Sequence, residues 1–311
     1  MTRSGTVALL GRPNAGKSTL INALLGEKVA IVSAKPQTTR HRITGVLTGD
    51  RGQAVIFDLP GVHRPLHRLN VQMMHVLRDT LAEVDLVLEL FDASQAPGGG
   101  EEFVVGLLLG AEAPTVLLPN KVDLPNVAEC LVERIAFYTS RRPYAAVLPV
   151  SALRGDGLTE LKDTIFDLLP EGSALLDPSL TTTQSERFYV AELIREAILE
   201  RVEKELPFTS TVHLRAFEEE ETATGPLLRI YADIVVDRDS QKGIVVGRGG
   251  TMIKEIGSAA RARIEPLLGA RIYLDLRVKA RPGWREDQRF LAELDPVEMP
   301  WEAPADDGEE P

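Results

Sequence analysis

Gly11-Arg12-Pro13-Asn14-Ala15-Gly16-Lys17-Ser18 is the stretch on which the fold turns. It matches G-x-x-x-x-G-K-[ST], and the flanking chain supplies the context that pattern needs. The apolar run Thr6-Val7-Ala8-Leu9-Leu10 precedes it; Thr19-Leu20-Ile21-Asn22-Ala23-Leu24-Leu25, rich in helix formers and closed by Gly26, follows. Strand, glycine loop and helix in succession make a phosphate-binding loop. Glycines at 11 and 16 allow backbone conformations that aim successive N–H groups at an anion at a helix N-terminus. Lys17 can reach the β- and γ-phosphates, and the Ser18 hydroxyl can ligate magnesium. The expected ligand is a nucleoside triphosphate.

A chain of 311 residues is long enough for two domains that each bury a core. No apolar run approaches the roughly 20 residues that cross a bilayer. Met1-Thr2-Arg3-Ser4-Gly5 leads straight into the first strand, so the expectation is a cytoplasmic protein without a signal peptide. Cys130 is the only cysteine, which excludes an intramolecular disulfide and a cysteine metal cluster. The net charge of −11 is unevenly spread. From Lys242 to Arg285 ten Lys and Arg stand against three acids, whereas Glu286 to Pro311 holds ten acids and Arg289 alone. A basic block inside an acidic protein is the asymmetry that matters for partner choice.

Along the chain, Ser33 to Arg40 is polar, carries Pro36 and reads as a loop. His41–Gly49 and Gln53–Asp58 flank Asp50-Arg51-Gly52 as a hairpin, with Asp58-Leu59-Pro60-Gly61 where its second strand ends. Asp85–Phe91 is a further strand. Thr115–Leu118 runs into Pro119-Asn120-Lys121-Val122-Asp123, and Ala145–Val150 runs into Ser151-Ala152-Leu153. Helical patterns such as Glu129–Tyr138 and Leu158–Leu169 fill the gaps. Four short motifs thus sit at the C-terminal ends of strands in an alternating series, which is where ligands bind in an open, mostly parallel α/β sheet.

In their order these motifs resemble the Ras-like G domain. The resemblance implies that Gly11 to Thr19 cradle the phosphates, that Asp58 holds magnesium through a water, and that Leu59, Pro60, Gly61 and Val62 follow the γ-phosphate, which meets the Gly61 N–H. It further implies that Asn120 and Asp123 read guanine, with Lys121 along the base and Ser151 and Ala152 closing the pocket by backbone contact. A carboxylate at 123 suits guanine, whose two adjacent donors it can accept, and would be repelled by the acceptor edge of adenine. GTP is therefore favoured over ATP.

Val62 departs from the self-hydrolysing members of that family, which carry a water-orienting glutamine there. Unaided hydrolysis should be slow. Asn14 in Gly-x-Pro-Asn-x-Gly-Lys-Ser resembles the signature of potassium-activated GTPases, in which it helps hold a cation where an arginine finger would otherwise act; its alternative role is to stabilise its own turn. Thr38 and Thr39 are both candidates for the loop threonine that closes over magnesium, Thr39 being the better match. Lys17, Asn14, Thr39 and Gly61 make the expected catalytic set.

Glu171 to Gln184 reads as a linker, and Thr183 with Glu186 fits a helix-starting capping box. Val190, Leu193, Ile194, Ala197, Ile198 and Val202 recur at helical spacing and mark core. Strands are expected at Ser210–Phe217 and Leu227–Val236 around an exposed acidic turn, Glu218 to Gly225. Gly247-Arg248-Gly249-Gly250, with Ile244, Val245, Ile253 and Ile256 around it and Arg271–Lys279 as a closing strand, resembles the Gly-x-x-Gly loop of a type II KH domain. Such a loop clamps about four nucleotides of single-stranded RNA. Its glycines admit the sugar-phosphate backbone, and the apolar residues floor the groove. Lys254, Arg261, Arg263, Lys279 and Arg281 add phosphate attraction. Trp284 is expected to pack rather than to stack a base.

The predicted organisation is a P-loop G domain over 1–172, a linker over 173–184, a smaller α+β KH domain over 185–285, and a helix end with an acidic, disordered tail over 286–311. With Pro36-Gln37-Thr38-Thr39-Arg40 and Asp58-Leu59-Pro60-Gly61-Val62 in place, this arrangement resembles the Era-like bacterial GTPases over nearly everything but the tail. The resemblance implies GTP and GDP with Mg2+, and K+, as cofactors. It also implies a GTPase stimulated by RNA, with the 3′ end of 16S ribosomal RNA and the 30S subunit as partners. A monomer is expected, and family links to the inner membrane leave peripheral membrane contact open. The competing reading is a constitutive RNA-binding scaffold that nucleotide merely stabilises.

Overall fold

The computed structural model describes residues 2–62, 67–222 and 225–294. Its first half runs β1 (Arg3–Gly11), α1 (Lys17–Leu25), β2 (Ile43–Gly49), β3 (Gly52–Asp58), α2 (Arg68–Glu83), β4 (Leu86–Asp92), α3 (Gly99–Leu107), β5 (Thr115–Asn120), α4 (Val127–Thr139), β6 (Ala146–Val147) and α5 (Leu158–Leu168). The six strands lie in the order β2-β3-β1-β4-β5-β6, parallel except for β2, which pairs antiparallel with β3 through the hairpin at Asp50. β1, β4 and β5 are apolar on both faces because both faces are covered. Leu20, Ile21 and Leu24 of α1 and Leu161 and Ile165 of α5 pack with Val7 and Leu9, while Leu77 of α2 and Val104 of α3 pack with Ala8 and Leu10. Chain order reverses around β1, so its C-terminal end opens into the crevice where ligands of such sheets bind.

The second half runs α6 (Glu186–Leu199), α7 (Leu206–Thr209), β7 (Ser210–Thr222), β8 (Gly225–Val236), α8 (Asp239–Val246), α9 (Thr251–Leu268), β9 (Arg271–Ala280) and α10 (Gln288–Leu294). β7 pairs antiparallel and β9 parallel with β8. The apolar stripe of α6 and Ile256, Ala260 and Ile264 of α9 close one core over this small sheet. Trp284 is fully buried and donates from Nε1 to the Thr209 carbonyl at 3.0 Å, so it packs as expected.

Several local expectations change. Ser185, not Thr183, caps α6, its Oγ accepting from the Phe188 N–H; the helix begins too late for Thr183 to reach it. The acidic turn is largely strand: Glu218 to Thr222 continue the β7–β8 ladder, Glu218 opposite Arg229. Edge position explains this, since β7 has only one neighbour and its charges stay in water. The strand expected over Ala145–Val150 shrinks to Ala146–Val147 plus a bridge from Val150 to Asn120. The linker is stitched to the hairpin: the side-chain Oε1 of Gln53 accepts from Leu175 and Leu176 N–H at 2.8 Å each, and Val46 N–H donates to the Thr181 carbonyl at 2.8 Å. The tail from Asp295 lies outside the described residues. Among those described, no helix is long and apolar enough to cross a membrane.

Candidate functional site

β1 hands the phosphate loop to α1 at the top of the sheet. Gly16 takes φ +101°, and a Cβ there would stand 2.2 Å from Asn120 Nδ2, so only glycine closes the loop onto the helix. Lys17 is buried and donates from Nζ to the carbonyls of Gly11 and Arg12, each at 3.2 Å. Burial pulls its pKa down, and the nearby Asp58 carboxylate partly opposes this. Asn14 adopts φ +63° and donates from Nδ2 to the Ala34 carbonyl at 2.9 Å, tying the phosphate loop to the following polar loop.

Three oxygens converge beside Lys17. Ser18 Oγ donates to Asp58 Oδ2 at 2.6 Å and lies 2.9 Å from Thr39 Oγ1, which is itself 3.3 Å from Asp58 Oδ2. Asp58 is fully buried, and its Oδ1 has no partner among the described residues. Burial pushes the carboxyl pKa up, against Lys17 and the two hydroxyls. Two hydroxyls and an under-satisfied carboxylate are hard oxygen donors of the kind Mg2+ takes while keeping waters, so these residues fit that ion. The choice between the two threonines also falls out of the geometry. Thr38 Oγ1 donates away, to the Lys35 carbonyl at 2.6 Å, and only Thr39 joins the set.

At the base-pocket end the roles shift. Asn120 bonds internally: Nδ2 donates to the Ala15 carbonyl at 2.8 Å and Oδ1 accepts from Ala152 N–H at 3.0 Å. It braces the phosphate loop against the 151–152 loop. Asp123 Oδ1 accepts from Ser151 Oγ at 2.7 Å, so Ser151 contributes its side chain as well as its backbone. Lys121, at φ +67°, pairs with Asp92 Oδ2 at 2.6 Å, a partner that spacing alone did not reveal. Val62 turns its side chain into the core with Leu59, Met74 and Leu77, and its N–H donates to the Gly11 carbonyl at 3.2 Å. Its side chain therefore contributes packing, not ligand contact.

In the second domain the Gly-x-x-Gly loop joins α8 to α9. Gly247 takes φ +74° with its Cβ position 2.8 Å from Met252 N, whereas Gly249 and Gly250 have open space beside them. Ile244, Arg248, Gly249 and Lys254 are exposed and Ile253 is half-buried. Val245 and Ile256, expected in the groove floor, are fully buried because their helix faces point into the core. Lys279 is exposed but pairs with the buried Asp233 at 2.7 Å, and Arg281 pairs with Asp287 at 2.6 Å.

The loop that carries Thr39 is fastened to the second domain on both sides of it. The Thr38 carbonyl accepts from Arg195 Nη2 of α6, and Arg195 is held by Glu192 at 2.5 Å. Arg40 donates to the carbonyls of Ser210 at 2.9 Å and Pro207 at 2.8 Å, with its guanidinium 5.7 Å from the centre of the Trp284 ring. Burial, then the charge of Arg195, lowers the Arg40 pKa to about 9. Burial, the largest single influence, would raise the Glu192 carboxyl, but Arg195, His41 and Arg40 together turn the net shift downward. Further up the loop, Glu196 accepts from Lys28 Nζ at 2.6 Å and from Val32 N–H at 2.9 Å. None of these long-range partners carries a spacing signal.

A model of the 50S ribosome-binding GTPase family matches residues 6–121, and a KH domain model matches residues 205–285. Fold and site thus define a P-loop GTPase of Ras-like type with a C-terminal KH module. The GTPase Era of Geobacter metallireducens is 46% identical over 292 residues, covering 94% of this chain and 97% of that protein. That of Heliobacterium modesticaldum is 45% identical over 284 residues, 91% of this chain and 94% of its own. Among solved structures, Era in complex with MgGDPNP and nucleotides 1506–1542 of 16S ribosomal RNA superposes with a TM-score of 0.89 at 34% identity, covering 94% of this chain and 99% of that one. An Aquifex aeolicus Era variant bound to GDP·AlF4− gives 0.88 at the same identity and coverage. The chain belongs to the GTPase Era family.

Proposed function

We propose that this protein is a GTP-hydrolysing switch that grips single-stranded RNA, the 3′ end of 16S ribosomal RNA in particular, during maturation of the 30S subunit. The observation that carries the reading is the position of Thr39. Its hydroxyl sits in the magnesium-type set with Ser18 and Asp58, while its neighbours Thr38 and Arg40 hold the second domain. A γ-phosphate and its Mg2+ that fix Thr39 would thereby bias how the KH module sits, and hydrolysis would release the bias. The relative solved with MgGDPNP and a 16S segment supports both ligands.

In this reading residues 1–172 form the GTP-binding unit and 185–285 the RNA-binding unit. Gly11 to Thr19 cradle the phosphates, Lys17 neutralises developing charge, and the Gly61 N–H meets the γ-phosphate. Asn120 and Asp123 read guanine, with Lys121 along the base and Ser151 and Ala152 closing the pocket. Intrinsic turnover is slow because the Val62 side chain is committed to the core. A potassium ion near the Asn14 amide oxygen supplies the positive charge the transition state requires. On the RNA side Ile244, Arg248 to Gly250, Ile253 and Lys254 make the gripping surface, with Lys279 and Arg281 secondary because acids hold them. The protein acts as a cytoplasmic monomer.

GTP turnover in matched potassium and sodium, with and without single-stranded RNA, tests the switch together with RNA affinities measured in GTP analogue and in GDP. Potassium-dependent turnover raised by RNA, and tighter RNA binding with the triphosphate, are expected. Turnover indifferent to RNA and equal affinities would instead establish the constitutive scaffold. By linkage, RNA must raise triphosphate affinity by the factor that triphosphate raises RNA affinity.

A further inference from the structure

The lysine of the base pocket is held by a residue that none of the G-domain motifs includes. Asp92 ends β4 and is the register partner of Asn120 on β5, so the residue after Asn120 emerges beside it. That residue, Lys121, takes φ +67°, and its Nζ donates to Asp92 Oδ2 at 2.6 Å. Gln95 Nε2 donates to the same oxygen at 3.1 Å. The other oxygen, Oδ1, accepts from the Ser94 N–H at 2.9 Å and from Ser94 Oγ at 2.5 Å. An aspartate that only shaped its own turn would need the Ser94 bonds alone; here the second oxygen is given to Lys121. Burial, the largest single influence, would raise the Asp92 carboxyl, but Lys121 and Ser94 together hold it below the usual carboxylate range.

The alternative partner for the ammonium is Asp123, two residues along the chain, whose side chain is 7% exposed. Asp123 Oδ1 accepts from Ser151 Oγ, and the Arg154 guanidinium stands 3.7 Å from Oδ2, so this carboxylate already draws a cation. A lysine released from Asp92 adds a second. A partly buried ammonium without its carboxylate is costly and seeks another. Seated on Asp123, it takes the oxygens that the two adjacent donors of guanine require.

We propose that Asp92 is a positioning residue for guanine selectivity, tethering the Lys121 ammonium away from Asp123 and leaving that carboxylate to the base. The tether matters only where Asp123 recognises guanine, and so rests on that reading.

Competition binding of GDP and inosine diphosphate to the full chain with Mg2+ separates the two, because hypoxanthine lacks the 2-amino donor of guanine and meets a carboxylate through N1–H alone. A wild-type preference for GDP is expected; equal affinities would overturn the guanine reading and the tether with it. Asp92→Asn keeps an acceptor for Ser94 and removes the charge that holds Lys121. It should shrink the GDP preference by about two- to tenfold, the range for one hydrogen bond. In a Lys121→Met background the same substitution should shrink it no further, whereas a loss caused by a disturbed turn would persist there. Urea unfolding verifies that the variants fold. Ser94→Ala, which loosens the carboxylate and leaves its charge, should act in the same direction by a smaller factor and serves if Asp92→Asn fails to fold. With the wild-type preference in place, an undiminished preference in folded Asp92→Asn or, failing that, in Ser94→Ala, or an equal loss in the Lys121→Met background, would overturn the tether alone.

Discussion

Replacing Thr39 by valine removes one hydroxyl and keeps the shape of a side chain that is 8% exposed. That hydroxyl lies 2.9 Å from Ser18 Oγ and 3.3 Å from Asp58 Oδ2, inside the set suited to Mg2+. Losing a contact of this kind to a charged centre costs about 1.5–3 kcal/mol, or roughly 10- to 150-fold in affinity. The loss should appear only for triphosphate with Mg2+ present, because the γ-phosphate is what draws the loop in. GDP affinity should be unchanged. Thr38→Val is the matched control: it removes a bond to the Lys35 carbonyl at 2.6 Å, costs about 0.5–1.5 kcal/mol of stability, and leaves the magnesium-dependent preference intact. Titrations of a fluorescent GTP analogue and of GDP, with and without Mg2+, read all four cases. If Thr38→Val abolishes the preference while Thr39→Val retains it, the assignment of the loop threonine is wrong.

Arg40→Met removes two bonds to second-domain carbonyls, each worth about 1.5–3 kcal/mol. It also relieves a guanidinium whose pKa burial has lowered from 12.5 to about 9, a burden of about 5 kcal/mol at neutral pH. These nearly cancel, so melting should move little while the ratio of RNA affinities in GTP and GDP falls toward one. Glu89 has its carboxyl pKa raised from 4.5 to about 7, chiefly by burial, with Tyr144 and Arg142 opposing. The native state therefore binds more protons than the unfolded chain between those values, and stability falls as pH rises through the window. Glu89→Gln should match wild type near pH 4.5 and exceed it by about 3 kcal/mol above pH 7, as read by urea unfolding at both ends. Arg248 is exposed, so Arg248→Ala should leave melting unchanged while lowering RNA affinity and shrinking the salt slope of log Kobs by about 0.7, the value for one single-strand phosphate contact. Gly249→Asp, at φ +61° with nothing within 4 Å, should fold and bind RNA more weakly through repulsion.

What could be read from the residues alone was whatever depends on neighbours in sequence. The phosphate loop, the hairpin at Asp50, the doubly covered strands and the glycine turn between α8 and α9 all follow from local backbone freedom and apolar period, and all stand in the structure. Fold class and motif order were therefore legible at once. Partner choice was not. That Asn120 braces two loops, that Thr39 rather than Thr38 meets Asp58, and that Val245 belongs to the core depend on which way a side chain points after packing. Glu89 carried a visible signal, a charge inside an apolar strand, but its tyrosine partner, Tyr144, comes from the segment before β6. The Arg195 and Arg40 contacts join positions 157 to 170 residues apart. Hydrogen bonds and ion pairs act over a few ångströms in space whatever the separation along the chain, so only the folded molecule decides which loop holds which domain.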